Sequence, residues 1–342
     1  MRMSFSLFLA SLVALPTSAQ EQQMADLGTC ALESGEVLED CRVGFHTVGQ
    51  LNEARDNTIV IPSWYGGTSG NWVELHAGLL GEDHDFFVVA VDALGNGVSV
   101  SPSNSAAQSL ESFPEITTRD MVRSQYRLLT EVLELDGVHA VMGVSMGGMQ
   151  TFEWGVLYPD YMEKLVPIAG SPLLAGHDVA LWESYKRLMA WGAECDCDEA
   201  AEALAALMAV NSTTSDQAGS ETPGDSVRAQ IEGAATNRMD PGTTWNLIRQ
   251  ADAMMATDVT RAFDGDWDRT ADAVRADLLV IVGSSDHVVT PGPAKAFAEH
   301  LGDKATLIVF DNECGHDIPG CEIFRARSLI REFLRAPGGT AP

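Results

Sequence analysis

Short apolar runs recur along the chain with helical or turn-like stretches between several of them, and this alternation constrains the fold more than any other feature. The runs are Thr58–Ile61, Phe86–Val91, Val138–Val144, Leu165–Ala169, Leu278–Val282 and Thr306–Phe310. Each is short and rich in Val and Ile, the pattern of strands covered on both faces. Thr118–Leu135 carries Met121, Val122, Tyr126, Leu129, Val132 and Leu133 at helical spacing. It opens on Thr117-Thr118-Arg119-Asp120, a capping signal, and ends at Gly137. Strands alternating with helices predict an α/β fold, a mostly parallel sheet with helices on both faces. The alternation lapses from about Leu173 to Ala276. Helical patterns dominate there, at Trp182–Trp191, Asp198–Val210 and Thr243–Phe263, around a Ser/Thr/Gly/Pro-rich segment at Asn211–Asp225. Strand-like runs then resume. The expected organisation is a core over 20–172 and 277–342, with a helical cap, 173–276, inserted between strands and shaping a substrate pocket. No internal repeat is present.

One motif carries chemistry. Gly143-Val144-Ser145-Met146-Gly147-Gly148 follows the strand-like Val138–Met142 and precedes the helical Met149–Leu157. A sharp strand-to-helix turn exposes the serine hydroxyl at the sheet edge, and small flanking residues permit the backbone angles it needs. The motif alone is weak, but its context on both sides is that of a nucleophile. A serine needs a base oriented by an acid. Asp286 follows the run Leu278–Val282, and His316 follows Thr306–Phe310, so acid and base come in the order a strand–turn–helix nucleophile requires. His287 adjoins Asp286 and is expected to point elsewhere; the other histidines are read as structural. The amide of Met146 is one expected oxyanion donor. A second should come from the loop after an early strand, Pro62-Ser63-Trp64-Tyr65-Gly66-Gly67-Thr68-Ser69-Gly70, with the Tyr65 amide preferred and Gly66 as the alternative. Trp64 and Tyr65 either line the pocket or pack into the core.

Composition narrows the function classes. The 342 residues include 21 Lys+Arg against 49 Asp+Glu, a formal charge of −28, and 45% are hydrophobic. That is enough apolar material for a sizeable core. The charge argues against nucleic acid as a partner, because displacing counterions from phosphates takes Lys and Arg, and against an anionic membrane surface. The N-terminus reads Met1-Arg2-Met3, an apolar run from Ser4 to Leu15, then Pro16-Thr17-Ser18-Ala19-Gln20. This is the pattern of a secretory signal peptide cleaved after Ala19, with no stable membrane anchor, and it predicts a secreted or periplasmic protein. Six cysteines suit an oxidising compartment. Cys30–Cys41 and Cys314–Cys321 are plausible local disulfides; Cys195–Cys197 would close a very tight ring and is the least secure. Their spacings do not match zinc patterns, and no metal is expected.

Several segments together resemble one family. They are Asp92-Ala93-Leu94-Gly95-Asn96-Gly97, Ser99-Val100-Ser101-Pro102-Ser103-Asn104, Phe113-Pro114-Glu115-Ile116-Thr117-Thr118-Arg119-Asp120 with Gln125, the stretch Gly143–Asp160, and Cys314-Gly315-His316-Asp317. The family is the homoserine O-acetyltransferase (MetX-like) branch of the α/β-hydrolases, and the resemblance is close over about 57–170 and thinner over 277–317. It implies an α/β-hydrolase fold with Ser145, Asp286 and His316 as catalytic triad, and it gives Asp317 a part in binding an amino-acid acceptor. A homodimer is compatible with it and is not decided by the sequence.

The expected function is therefore a secreted serine hydrolase that cleaves a small-molecule ester through an acyl-serine, without metal or organic cofactor. Trp64, Gly66 and Asp317 are the expected substrate contacts. Hydrolysis is preferred to transfer because the cap lacks a match to the family's Tyr-Arg-Ser-type segment, where an Arg holds the substrate carboxylate. Export also separates the protein from acetyl-CoA. The alternatives are a MetX-like O-acyltransferase and a non-catalytic binding protein on the same fold.

Overall fold

The computed structural model describes residues 21–211, 214–216, 223–234 and 240–337. The expected signal segment, 1–19, and part of the Ser/Thr/Gly/Pro-rich stretch lie outside them. In chain order the elements begin with β1 (Gln23–Asp26), β2 (Cys30–Ala31), β3 (Val37–Leu38), β4 (Arg42–Val48), β5 (Thr58–Pro62), α1 (Ser69–Leu80) and β6 (Phe87–Val91). Then come α2 (Thr118–Arg127), β7 (Val138–Val144), α3 (Met146–Leu157) and β8 (Met162–Ile168). Between β8 and the next long strand lie α4 (Gly176–Cys195), α5 (Asp198–Asn211), α6 (Gly224–Ala234), α7 (Pro241–Met255) and α8 (Trp267–Ala273). The chain closes with β9 (Asp277–Gly283), α9 (Gly292–Leu301), β10 (Ala305–Phe310), α10 (Ile318–Cys321) and α11 (Ile323–Arg335).

Eight strands form one sheet in the order β1-β4-β6-β5-β7-β8-β9-β10, and β2 pairs with β3 separately. Pairing is parallel from β6 across to β10 and antiparallel for β1–β4 and β4–β6. The apolar runs are continuous because successive side chains enter two different cores. Val60, Val141, Leu278 and Val280 face one core, together with Met121, Phe152 and Phe297 from α2, α3 and α9. Ile59, Ile61, Met142, Leu279 and Ile281 face the other, with Trp72 and Leu79 from α1 and Ile330 and Phe333 from α11. Period-two alternation between two buried faces leaves no polar face to see in the sequence.

Strand β4 carries little apolar signal. In β4, Arg42, Gly44, His46 and Thr47 interrupt the pattern; at Gly44 an added Cβ would sit 2.6 Å from a carboxylate oxygen of Asp92. The expected helix from Thr118 is regular to Arg127 and continues as a wider π-type turn over Leu128–Val132. Its start is a reciprocal cap between Thr117 and Asp120. Among the described residues no helix is long and apolar enough to cross a membrane.

The order in which strands are added reverses at β5, since β6 lies on one side of it and β7 on the other, all three parallel. Open α/β sheets leave a crevice at the carboxyl ends of the strands at such a point. Ser145 follows β7 there, and the loop from Ser63 follows β5.

Candidate active site

At the end of β7 the chain turns directly into α3. Ser145, at the turn, has φ +57° and ψ −121°, a strained backbone on the order of 1–3 kcal/mol above a relaxed one. Its N–H donates to the Ile168 carbonyl of β8 at 2.9 Å, which fixes the turn. The flanking glycines are required by space. A Cβ on Gly143 would lie 2.2 Å from the Gly147 carbonyl oxygen, and one on Gly147 would lie 2.6 Å from the Pro62 carbonyl oxygen.

Parallel pairing of β9 with β10, ending at Gly283 opposite Phe310, sets the two following loops side by side. Asp286 is 3% exposed, and one carboxylate oxygen accepts the amides of Val288 and Val289 at 2.9 and 3.0 Å. The other accepts His316 Nδ1–H at 2.7 Å. Because a carboxylate only accepts, the ring proton sits on Nδ1 and leaves Nε2 free to accept. His316 Nε2 lies 2.9 Å from Ser145 Oγ. Three side chains from distant parts of the chain thus form one hydrogen-bonded line. His287 is exposed and outside it; its carbonyl accepts from His177 Nε2 at 3.2 Å. Cys314 and Cys321 are paired across the loop that carries His316, and the structure also pairs Cys30 with Cys41 and Cys195 with Cys197.

The loop after β5 faces this line. Gly66 N–H donates to Gln250 Oε1 of α7 at 2.8 Å, and Gly67 N–H to the Trp64 carbonyl at 2.9 Å. Gly66 is therefore not open as an amide donor, a correction to its expected part in substrate contact. Its surroundings are a separate cavity of about 320 Å³ lined by Asn96, Ser103, Asn246 and Gln250. The Tyr65 amide has no acceptor among the described residues, and neither does the Met146 amide, which lies in the first turn of α3.

Sequence reasoning gave no role to the amides that hold these pieces. Gln150 Nε2 donates to the carbonyls of Ser63 and Met146, both at 3.1 Å, tying the loop after β5 to the nucleophile helix. Gln125 donates to Gln150 at 2.6 Å and accepts from Trp154 Nε1 at 2.9 Å. Gln125 and Gln150 are fully buried. A glutamine, Gln150, in the helix directly after Ser145 was the available signal.

A cavity of about 570 Å³ opens on Ser145 and His316. Trp64 and Tyr65 both line it, as do Leu75 and Leu79 of α1, Trp182, Tyr185 and Met189 of α4, Leu204 and Met208 of α5, Leu247 of α7, and Asp317. The Tyr65 ring meets Trp182 edge-on at 4.7 Å, and its hydroxyl reaches Met189 Sδ at 3.8 Å. Burial, with Tyr185 nearby, pushes the Tyr65 phenol well above its ordinary pKa, so it stays neutral. Trp182 Nε1 donates to the Val288 carbonyl at 3.2 Å. Among the described residues no Lys or Arg lines this cavity, and no His/Cys/Asp/Glu group could hold a metal ion.

Known proteins resemble the chain over much of its length. Residues 57–319 match a family described as the alpha/beta hydrolase fold. A probable esterase of Corynebacterium glutamicum is 39% identical over 163 residues, 46% of each chain, so the match spans about half of that relative's length. A probable acyltransferase of Methanothermobacter thermautotrophicus is 31% identical over 88% of this chain and 94% of its own. A homoserine O-acetyltransferase of Trichormus variabilis is 28% identical over 89% of this chain and 91% of its own. The crystal structure of an acetylester hydrolase from Corynebacterium glutamicum superposes with a TM-score of 0.81 at 27% identity, covering 92% of this chain and 96% of that one.

Proposed function

The chain belongs to the α/β-hydrolase fold family, as an enzyme with esterase and MetX-like acyltransferase relatives, and from that premise we propose that it is a secreted ester hydrolase. The observation that carries this reading is the unbroken line Ser145–His316–Asp286, with contacts of 2.9 and 2.7 Å. Ser145 Oγ attacks the ester carbonyl carbon while its proton passes to His316 Nε2. Asp286 stabilises the imidazolium and keeps the ring oriented. The amides of Met146 and Tyr65 receive the oxyanion of the tetrahedral intermediate. The intermediate collapses, the C–O bond to the alcohol breaks, and His316 returns the proton to the leaving oxygen. Water then repeats the cycle on the acyl-serine: His316 takes its proton, the acid departs, and Ser145 regains its hydrogen.

Hydrolysis is favoured over transfer by the cavity's lining. A carboxylate-bearing acceptor or a phosphate-rich donor would find no Lys or Arg there among the described residues, and an unpaired anion in an apolar site is costly. A second reading, O-acyl transfer, has one observation in its favour: Asp317 lines the cavity beside His316, where it could hold an acceptor's amine. Two assays separate the readings. A burst of p-nitrophenol from p-nitrophenyl acetate that is lost in Ser145→Ala supports an acyl-serine enzyme. Release of CoA from acetyl-CoA that depends on added homoserine would replace hydrolysis with transfer.

Export is part of the same proposal. The apolar N-terminal run and three paired cysteine couples support an oxidising destination. N-terminal sequencing of protein recovered outside the cytoplasm should begin at Gln20; recovery of the intact Met1 chain inside it would reject export.

A further inference from the structure

We infer that the preferred substrate is a neutral, apolar ester considerably larger than a short-chain acetate, an inference that rests on the hydrolase reading above. Volume is the first observation. At roughly 30 Å³ for each water-sized atom, the cavity of about 570 Å³ has room for roughly nineteen. A molecule the size of ethyl acetate would fill about a third of it. The walls are the second. Trp182, Met189, Leu204 and Leu247 present carbon and sulfur, and the polar atoms of Trp182, Tyr65 and Tyr185 already have partners inside the protein, Asn211 in the last case. Water filling the space beside a small substrate would therefore find few hydrogen-bond partners, and replacing it with substrate methylenes is favourable.

Charge is the third observation. At the cavity's mouth Leu75 and Met208 are about half exposed, at 50% and 48%, so the apolar lining continues to the surface. Asp317, also exposed, is the one carboxylate among the described lining residues. An ester bearing its own carboxylate is repelled there and meets no compensating cation among the described residues. The insertion's helices thus select for apolar bulk, while the Ser145 line supplies chemistry indifferent to it.

The test is kcat/KM measured on the full mature chain for two series, alkyl acetates from ethyl to octyl and ethyl alkanoates from acetate to octanoate, all below their solubility limits. Burying each methylene should raise kcat/KM roughly fourfold over at least three successive members of one series. The rise should stop once the cavity is full. Leu204→Trp, which narrows the cavity from α5, should move the optimum to shorter chains; if that variant does not fold, Met208→Trp on the same helix makes the same test. Monoethyl adipate should react at least tenfold more slowly than ethyl hexanoate. Profiles that are flat or falling from ethyl acetate onward in both series, or equal rates for the charged and neutral pair, would overturn the inference while leaving Ser145-dependent hydrolysis standing. Absence of any Ser145-dependent hydrolysis would instead remove the hydrolase reading itself.

Discussion

Gln250 accepts the Gly66 N–H at 2.8 Å while its own Nε2 donates to the Leu94 carbonyl at 3.3 Å, and the side chain is fully buried. A residue on a helix inserted between two strands of the sheet therefore holds the loop that presents the Tyr65 amide. With Gly66 engaged in this way, the amides of Tyr65 and Met146 are the ones left without an acceptor among the described residues, as the proposed mechanism requires.

The first prediction follows from that contact. Gln250→Leu frees Gly66 and loosens the aim of Tyr65, so kcat should fall by about tenfold, less than the loss of a direct oxyanion donor. KM should change little, because the ground-state ester does not use the contact. Gln250→Glu retains an acceptor for Gly66 and should recover part of the rate. Steady-state kinetics on one ester with all three proteins makes the check. A purely structural role would show as lost thermal stability with an unchanged kcat per folded molecule.

A second prediction concerns the turn itself. Gly147→Ala places a methyl 2.6 Å from the Pro62 carbonyl oxygen, backbone that cannot rotate away. Overpacking of this kind costs about 1–3 kcal/mol. Calorimetry should show a fall in Tm of roughly 2–5 °C, with activity reduced more than folding, because the displaced strand β5 leads into the Tyr65 loop. A fully active variant of unchanged Tm would contradict the crowding read from the structure.

Stability should increase on mild acidification. Burial raises the carboxyls of Glu153, Asp120 and Asp178 above their ordinary pKa values, although Arg119 and several hydrogen bonds oppose it. A carboxyl with a raised folded pKa binds its proton more tightly when folded than when unfolded. Its contribution therefore grows as pH falls through the folded value and is lost as pH rises through it. Acid also relieves the self-repulsion of a chain carrying −28. The opposite case, Asp83, is held down to about 2 by Arg331 but is fully exposed, and it titrates only at far lower pH. Tm measured from pH 8 to pH 5 should rise; a steady fall over that range would reject the assignment.

Reduction should reach the candidate site before it reaches the fold. Cys314 and Cys321 close a short loop containing His316 and Asp317, and no strand of the sheet lies within that loop. Mild dithiothreitol, or Cys321→Ser, should lower kcat severalfold while circular dichroism and Tm stay near those of the untreated protein. Parallel loss of activity and structure would count against a local role.

Much of this was legible in the sequence because the informative signals are local. The strand-like runs, the glycines around Ser145, and the order Ser145, Asp286, His316 can each be read within a few residues, and the sheet's register brings the three together. What the sequence hid depends on distance or on burial of polar groups. Strand β4 escapes notice because Gly44 and His46 serve close packing and a hydrogen bond to Ser69, not hydrophobic alternation. Gln250 lies 184 residues from Gly66, and no spacing rule links them. The cavity's size is set by where α4, α5 and α7 settle over the sheet, which helical periodicity does not specify.

The central claim is that Ser145 is made nucleophilic by His316, and covalent trapping tests it most directly. The mature protein is treated with a fluorophosphonate and its peptides are analysed by mass spectrometry. The account predicts a single phosphonylated peptide modified at Ser145, with labelling abolished in Ser145→Ala and strongly slowed in His316→Ala. Modification at another residue, or ester hydrolysis that persists in Ser145→Ala, would contradict it.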